Sequence, residues 1–179
     1  MNAWWLNDFY WTADMDMVID DHENFIERQT SESVIQFYGM NISVVSGVYH
    51  PLECSSTHLL AQALMPNIGS GSKALDVGCG SGAISCLLAD NFSAVFATDV
   101  DDAALLCTKE NATINRKDNI TVLKSDLFEG IQNERKFDLM VFNAPLLHTK
   151  VTSKSPKPRD YHDHMAIDIG GATLLSVCQ

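Results

Sequence analysis

Four short apolar runs, each leading into a polar residue at its carboxyl end, constrain this chain more than any other feature. They are Ala74-Leu75-Asp76-Val77, Ala94-Val95-Phe96-Ala97-Thr98, Ile120-Thr121-Val122-Leu123 and Phe137-Asp138-Leu139-Met140-Val141-Phe142. Helical stretches lie between the first three, from Ala83 to Asp90 and from Asp101-Asp102 to about Asn115, the leading acids of the second suiting its positive end. Strands that alternate with helices pair in parallel through right-handed crossovers, which predicts an α/β fold with a doubly wound sheet. With 46% hydrophobic and 20% charged residues over 179 positions, a packed core is expected and disorder throughout is excluded.

In such a sheet, ligands bind at the carboxyl ends of the strands. The residues found there are Asp76 with Gly78, Gly80 and Gly82, then Asp99, Asp126 and Asn143. The glycines permit a tight turn that brings backbone N–H groups close to a ligand, and Gly78 to Ala83 also fits the G-x-G-x-x-G/A dinucleotide pattern. Asp99 follows Gly82 by 17 residues, where an acid accepts both hydroxyls of a ribose; otherwise it caps the next helix. Together these features point to an adenosine-containing cofactor. Asp76 tilts the choice from a nicotinamide to a sulfonium cofactor, because a carboxylate two residues before the first glycine can hold a cationic amino acid moiety, directly or through water, and offers nothing to a pyrophosphate. Asp126 either accepts a hydrogen bond from the adenine amino group or caps the turn at Leu127-Phe128.

Ala74-Leu75-Asp76-Val77-Gly78-Cys79-Gly80-Ser81-Gly82 resembles the first motif of class I S-adenosylmethionine-dependent methyltransferases. Asn143-Ala144-Pro145-Leu146 resembles the N-P-P-Y motif of the amino-methylating branch. Gly47-Val48-Tyr49-His50-Pro51, Ser56-Thr57-His58-Leu59-Leu60 and Gly170-Gly171 are similar to segments of the small methyltransferase domain group, which includes the HemK-like glutamine methyltransferases and several RNA base N-methyltransferases. The resemblance covers residues 34–179 and implies a Rossmann-like methyltransferase domain that uses S-adenosylmethionine. Asp76, Gly78, Gly80, Gly82, Asp99 and Asp126 would bind the cofactor, and Asn143, Ala144 and Pro145 would position the nitrogen of an amide or base in a protein or RNA substrate. The Asn143 side-chain oxygen and the Ala144 carbonyl would accept its N–H hydrogens, with Pro145 keeping Ala144 extended. The motif departs from the family's in Ala144, which loosens the turn, and in Leu146, which removes a stacking aromatic. Two alternatives stand beside this reading: an NAD-dependent oxidoreductase, and an inactive cofactor-binding methyltransferase-like subunit.

The family's sheet has seven strands in the order 3-2-1-4-5-7-6, whereas the chain supplies four and a helix-like run from Ile167 to Gln179. The C-terminal strands are therefore expected to be absent, and the apolar edge at residues 137–142 to be covered by a missing C-terminal region, another copy, or the N-terminal segment. That segment, residues 1–33, carries Trp4, Trp5 and Trp11 with eight acids against Arg28, and reads as a helical extension docked by its aromatics. A hairpin follows, with strands at residues 34–38 and 42–45 broken by Gly39-Met40-Asn41, then a helix capped by Ser55-Ser56-Thr57 and a loop at residues 69–72.

Twelve basic against 23 acidic residues give a net charge of −11, which argues against binding nucleic acid by bulk attraction. Lys150, Lys154, Lys157 and Arg159 form the one basic cluster and are candidates for contact with RNA phosphates or an acidic protein. Five cysteines without CxxC spacing suggest free thiols in a reducing compartment, and no run is long and apolar enough for a membrane helix. A cytoplasmic protein is expected. His148, His162, Asp163 and His164 lack the spacing and support of a metal site, so none is assigned.

Overall fold

The computed structural model describes residues 33–52, 55–131, 136–144, 147–149 and 167–169. Strands β1 (Ser33–Phe37) and β2 (Met40–Val44) form an antiparallel hairpin. Helix α1 (Ser56–Leu64) and a 3-10 turn lead into β3 (Gly71–Val77), then α2 (Ala83–Leu88), β4 (Phe92–Asp99), α3 (Asp102–Ile114) and β5 (Ile120–Lys124). A second 3-10 turn, Glu129–Ile131, precedes β6 (Leu139–Phe142). The expected loop at residues 69–72 is shorter than its composition suggests, because Gly71 already pairs with Phe92.

The parallel sheet runs β5-β4-β3-β6, so the chain turns back across β3 to place β6. With β3 counted as the first strand this is 3-2-1-4, the order the resemblance implies. β3 is buried continuously from Ala74 to Val77, as suits a parallel strand covered on both faces. Ala74 and Val95 pack under the helices with Ile84, Leu88 and Cys107, and this core continues into Phe37, Ile42 and Val44 of the hairpin. Leu75 and Val77 face the other way, against Phe96, Phe128, Ile131, Phe137 and Phe142. Among the described residues no strand pairs with the outer side of β6, where Met140 is 49% exposed. A short parallel pair, β7 (Leu147–Thr149) with β8 (Ile167–Ile169), stands as a separate sheet. The run expected to be helix-like from Ile167 thus begins instead as a strand, its Ile167-Asp168-Ile169, β-branched at both ends, paired to Leu147–Thr149.

The hairpin turn falls on Tyr38-Gly39, one residue earlier than the sequence reading placed it. Both residues have positive φ, +47° and +80°, as a two-residue turn matched to strand twist requires, and Met40 is thereby freed to enter the core. The free edge of β2 is closed by two side chains of α3. Asn115 bonds the backbone N and O of Asn41, and Asn111 bonds the N and O of Ser43. Four residues of helix advance about 6 Å and two residues of strand about 6.7 Å, so carboxamides one turn apart match the strand's repeat.

Candidate active site

Parallel register brings the carboxyl ends of three strands side by side: Val77 pairs with Thr98 on one flank and with Phe142 on the other. Gly78, Asp99 and Asn143, each one residue farther on, therefore meet at one end of the sheet. Gly78, Gly80 and Gly82 all have positive φ, between +53° and +76°, in the turn that joins β3 to α2. Cys79 N–H donates to the Thr98 carbonyl at 2.9 Å, which fixes the turn to β4. A Cβ on Gly82 would lie 2.9 Å from the Cα of Thr108 on α3, whereas one on Gly80 would meet nothing within 4 Å. Gly82 thus serves helix packing and Gly80 borders open space. Gly82→Ala is expected to cost about 2–3 kcal/mol, from left-handed strain plus overpacking, and Gly80→Ala only the strain of about 1 kcal/mol. Thermal melting of the two variants would check the difference, and equal losses would contradict it.

Asp99 is 3% exposed, yet its carboxylate is well supplied with donors. Oδ2 accepts from Gly80 N–H at 2.9 Å and Oδ1 from Asp101 N–H at 3.0 Å. Burial pushes its pKa up while these backbone donors pull it back. Each oxygen retains a further lone pair, so the group can still accept two hydroxyl donors. The capping role considered for Asp99 belongs instead to Asp101, whose Oδ1 accepts from Ala103 N–H.

Asp76 projects from the helix-covered face of β3 and accepts from the Ser85 hydroxyl at 2.6 Å. Burial drives its pKa up to about 7, Ser85 opposes this, and the charge of Asp99 adds to the rise. An acid so placed ionises readily only when a positive charge comes beside it.

Asp126 lies two residues past the end of β5 and is exposed. Ser125 takes the turn-forming role weighed for it, accepting from Gly130 N–H and donating to the Leu127 carbonyl. Ser125 N–H also bonds the Asp99 carbonyl, which sets this strand end beside that of β4.

Asn143 is half-buried just beyond β6, with Ala144 beside it. Its Nδ2 donates to Ser56 Oγ at 3.1 Å and to Thr57 Oγ1 at 3.2 Å, at the start of α1. Pro145, Leu146, Lys150, Lys154, Lys157, Arg159, Gly170, Gly171 and residues 1–32 lie outside the described residues.

Sequence reasoning missed several supports of this site. Thr108 donates to the Gly80 carbonyl at 3.0 Å and Asn111 to the Ser81 carbonyl at 2.8 Å, so α3 holds the glycine turn from behind. Their signal was the helical spacing of Ala104, Thr108 and Asn111, a buried stripe that is polar where an apolar one is expected. Among the described residues no group of three or more His, Cys, Asp or Glu could hold a metal ion, and no helix is long and apolar enough to cross a membrane.

Comparison with known proteins agrees with this fold. The family model described as methyltransferase small domain matches residues 41–157. The release factor glutamine methyltransferase of Fusobacterium nucleatum is 30% identical over 145 residues, covering 75% of this chain and 39% of that protein. Its namesake from Clostridium botulinum is 31% identical over 140 residues, covering 75% and 49%. The chain thus spans half or less of the length of these two relatives. Among solved structures, the T. thermophilus 16S rRNA N2 methyltransferase RsmC, in complex with AdoMet and guanosine, is similar with a TM-score of 0.53 and 26% identity over 64% of this chain and 33% of that one. In fold, in the order of its strands and in the sequence of its glycine turn, the chain belongs to the methyltransferase small domain family.

Proposed function

We propose that the chain binds S-adenosylmethionine at the carboxyl ends of β3, β4 and β5 and directs its methyl group to an amide nitrogen of a protein, a glutamine side chain in the first instance. The observation that carries the reading is the meeting of Asp76, the glycine turn, Asp99 and Asn143 at one end of the sheet. The residues suit the cofactor. Space beside Gly80 admits a ligand, Asp99 has lone pairs for a ribose diol, and the buried Asp76 favours a cation. Asp126 is assigned to the adenine edge. When bound, S-adenosylmethionine would supply a methyl group on a positively charged sulfur: the nitrogen lone pair would take it up, the C–S electron pair would return to sulfur, and one N–H proton of the methylated nitrogen would leave to water. Asn143 Oδ1 and the Ala144 carbonyl accept the acceptor's N–H hydrogens and aim that lone pair, and orientation of this kind supplies several kcal/mol. By its sequence position Pro145 would keep Ala144 extended, which would help present that carbonyl. The glutamine assignment follows the names of the curated relatives. An RNA base is the second acceptor class, favoured by the likeness to the rRNA methyltransferase and served by Lys150, Lys154, Lys157 and Arg159. Buried free thiols at Cys79, Cys86 and Cys107 support a reducing, cytoplasmic setting.

Calorimetric titration with S-adenosylhomocysteine and with NAD tests the cofactor. Micromolar binding of the first and none of the second is expected, because Asp76 offers a partner to a cation and nothing to a pyrophosphate; the reverse result would overturn the reading. Asp99→Ala should weaken S-adenosylhomocysteine at least tenfold, since each hydrogen bond to a charged group contributes about 1.5–3 kcal/mol. Transfer of labelled methyl from S-adenosylmethionine to a glutamine peptide and to an RNA oligonucleotide then separates the acceptor classes. Cofactor binding without transfer to either would favour the inactive-subunit alternative.

A further inference from the structure

Asn143 gives away both of its N–H hydrogens within the protein. Nδ2 lies 3.1 Å from Ser56 Oγ and 3.2 Å from Thr57 Oγ1, and among the described residues Oδ1 has no hydrogen-bond partner. A hydroxyl can accept or donate, so the two hydroxyls fix the carboxamide plane, and with Nδ2 turned toward them the oxygen is its remaining polar face. One such bond would let the amide plane swing. Two, from adjacent residues, define it.

The hydroxyls themselves sit on a rigid mount. Ser55 caps α1, accepting from His58 N–H at 3.2 Å, so Ser56 and Thr57 are not needed for capping. Ala61 anchors the helix in the core, and His58 stacks on Tyr38 and meets Phe37 edge-on, which ties the first turn of α1 to the hairpin. On the other side, Asn143 is carried by β6 in register with β3. The contact joins residues 86 and 87 positions apart, and among the described residues neither hydroxyl makes another hydrogen bond.

We infer that Ser56 and Thr57 are positioning residues that lock the Asn143 carboxamide with its oxygen outward, so that the site accepts a hydrogen-bond-donating nitrogen and disfavours an acceptor-only group. The inference rests on the methyl-transfer reading for its consequence, but the lock itself is measurable without turnover. A flipped amide would turn N–H groups outward and select carbonyl or ring-nitrogen acceptors. The chemistry of the acceptor is thus decided by two residues that do not touch it.

The test uses the 15N-labelled 179-residue chain. The Asn143 side-chain NH2 pair should show cross-relaxation to the side-chain protons of Ser56 and Thr57 and exchange with solvent at least tenfold more slowly than an exposed carboxamide. Ser56→Ala combined with Thr57→Val should abolish both signatures while leaving the Kd for S-adenosylhomocysteine within about twofold. Thr57→Ser should restore the protection. With the glutamine peptide as probe, the double variant should lose at least tenfold in kcat with little change in KM for S-adenosylmethionine. An NH2 pair that exchanges freely in the parent chain, or one equally protected in the double variant, overturns the lock. If Asn143→Ala turns over the peptide as fast as the parent, the assignment of Asn143 to transfer fails instead, and the protection data still decide the lock. If the parent does not methylate the peptide, the same data decide it alone.

Discussion

Asn111→Leu is expected to lower the unfolding free energy by about 3–5 kcal/mol, although leucine matches asparagine closely enough in size to occupy the site. Asn111 is fully buried, and its carboxamide satisfies three backbone groups at once. Oδ1 accepts from Ser43 N–H at 2.7 Å, while Nδ2 donates to the carbonyls of Ser43 at 2.6 Å and Ser81 at 2.8 Å. Leucine would take this partner from Ser43 N–H and the Ser81 carbonyl and leave the Ser43 carbonyl only the weak Cys107 thiol donor at 3.1 Å, and a buried polar group so abandoned costs about 1–3 kcal/mol. For a chain of this length the melting temperature should drop by about 10 °C. Asn115→Ala removes the equivalent pair of bonds at the solvent-facing turn of α3, where water replaces them, and should cost less than about 1 kcal/mol. Urea unfolding of both variants checks the contrast. Similar midpoints would show that the hairpin is held by its apolar face alone.

Asp76→Asn should have the opposite effect on stability and a damaging one on binding. The folded protein holds the Asp76 proton up to about pH 7, whereas an unfolded aspartate releases it near its ordinary value of 3.8. Between these values the folded state carries more protons than the unfolded one, so stability falls as pH rises through that window. Asparagine cannot ionise and still accepts from Ser85. Its unfolding free energy should therefore exceed that of the parent at pH 8 by up to about 4 kcal/mol, with the advantage vanishing below about pH 4. Denaturant midpoints at pH 5 and pH 8 measure this directly; a gap that did not widen with pH would contradict it. On the proposed reading the parent's affinity for a sulfonium ligand rises with pH through 7 and binding releases a proton, visible as a buffer-dependent heat. The asparagine variant should show neither and should bind at least tenfold more weakly. Asp76 would then be a destabilising charge retained for its ligand.

The strand ends were legible because burial imposes a local pattern. A parallel strand covered on both faces reads as an apolar run, and the polar residue that ends it stands out one or two positions later, as Asp99 and Asn143 do. The glycine turn was legible for a related reason, since positive φ leaves its mark on the sequence one residue at a time. The hairpin was found with its turn one residue late, because Gly39 satisfies a turn beginning at either Tyr38 or Gly39. Only the core's demand for Met40, Ile42 and Val44 on one face chooses between them.

Asn111, Thr108, Ser56 and Thr57 were legible only as helix residues. Their partners lie on other elements, 28 to 87 residues away; the spacing within α3 marks Thr108 and Asn111 as one stripe, and nothing within α1 or α3 says what any of the four binds. The order of the sheet was implied by the family resemblance and not by the pattern of the strands themselves. Period and spacing imply parallel strands, but placing β6 against β3 rather than β5 depends on which exposed edge can be reached and covered. From its sequence alone this chain is a parallel α/β protein with an acid–glycine–acid cofactor signature, because burial and backbone conformation act residue by residue. That Asp76, Asp99 and Asn143 share one end of the sheet, and that a hairpin and two helices brace them, was decided by tertiary structure, because hydrogen-bond satisfaction is a condition on pairs that only folding brings together.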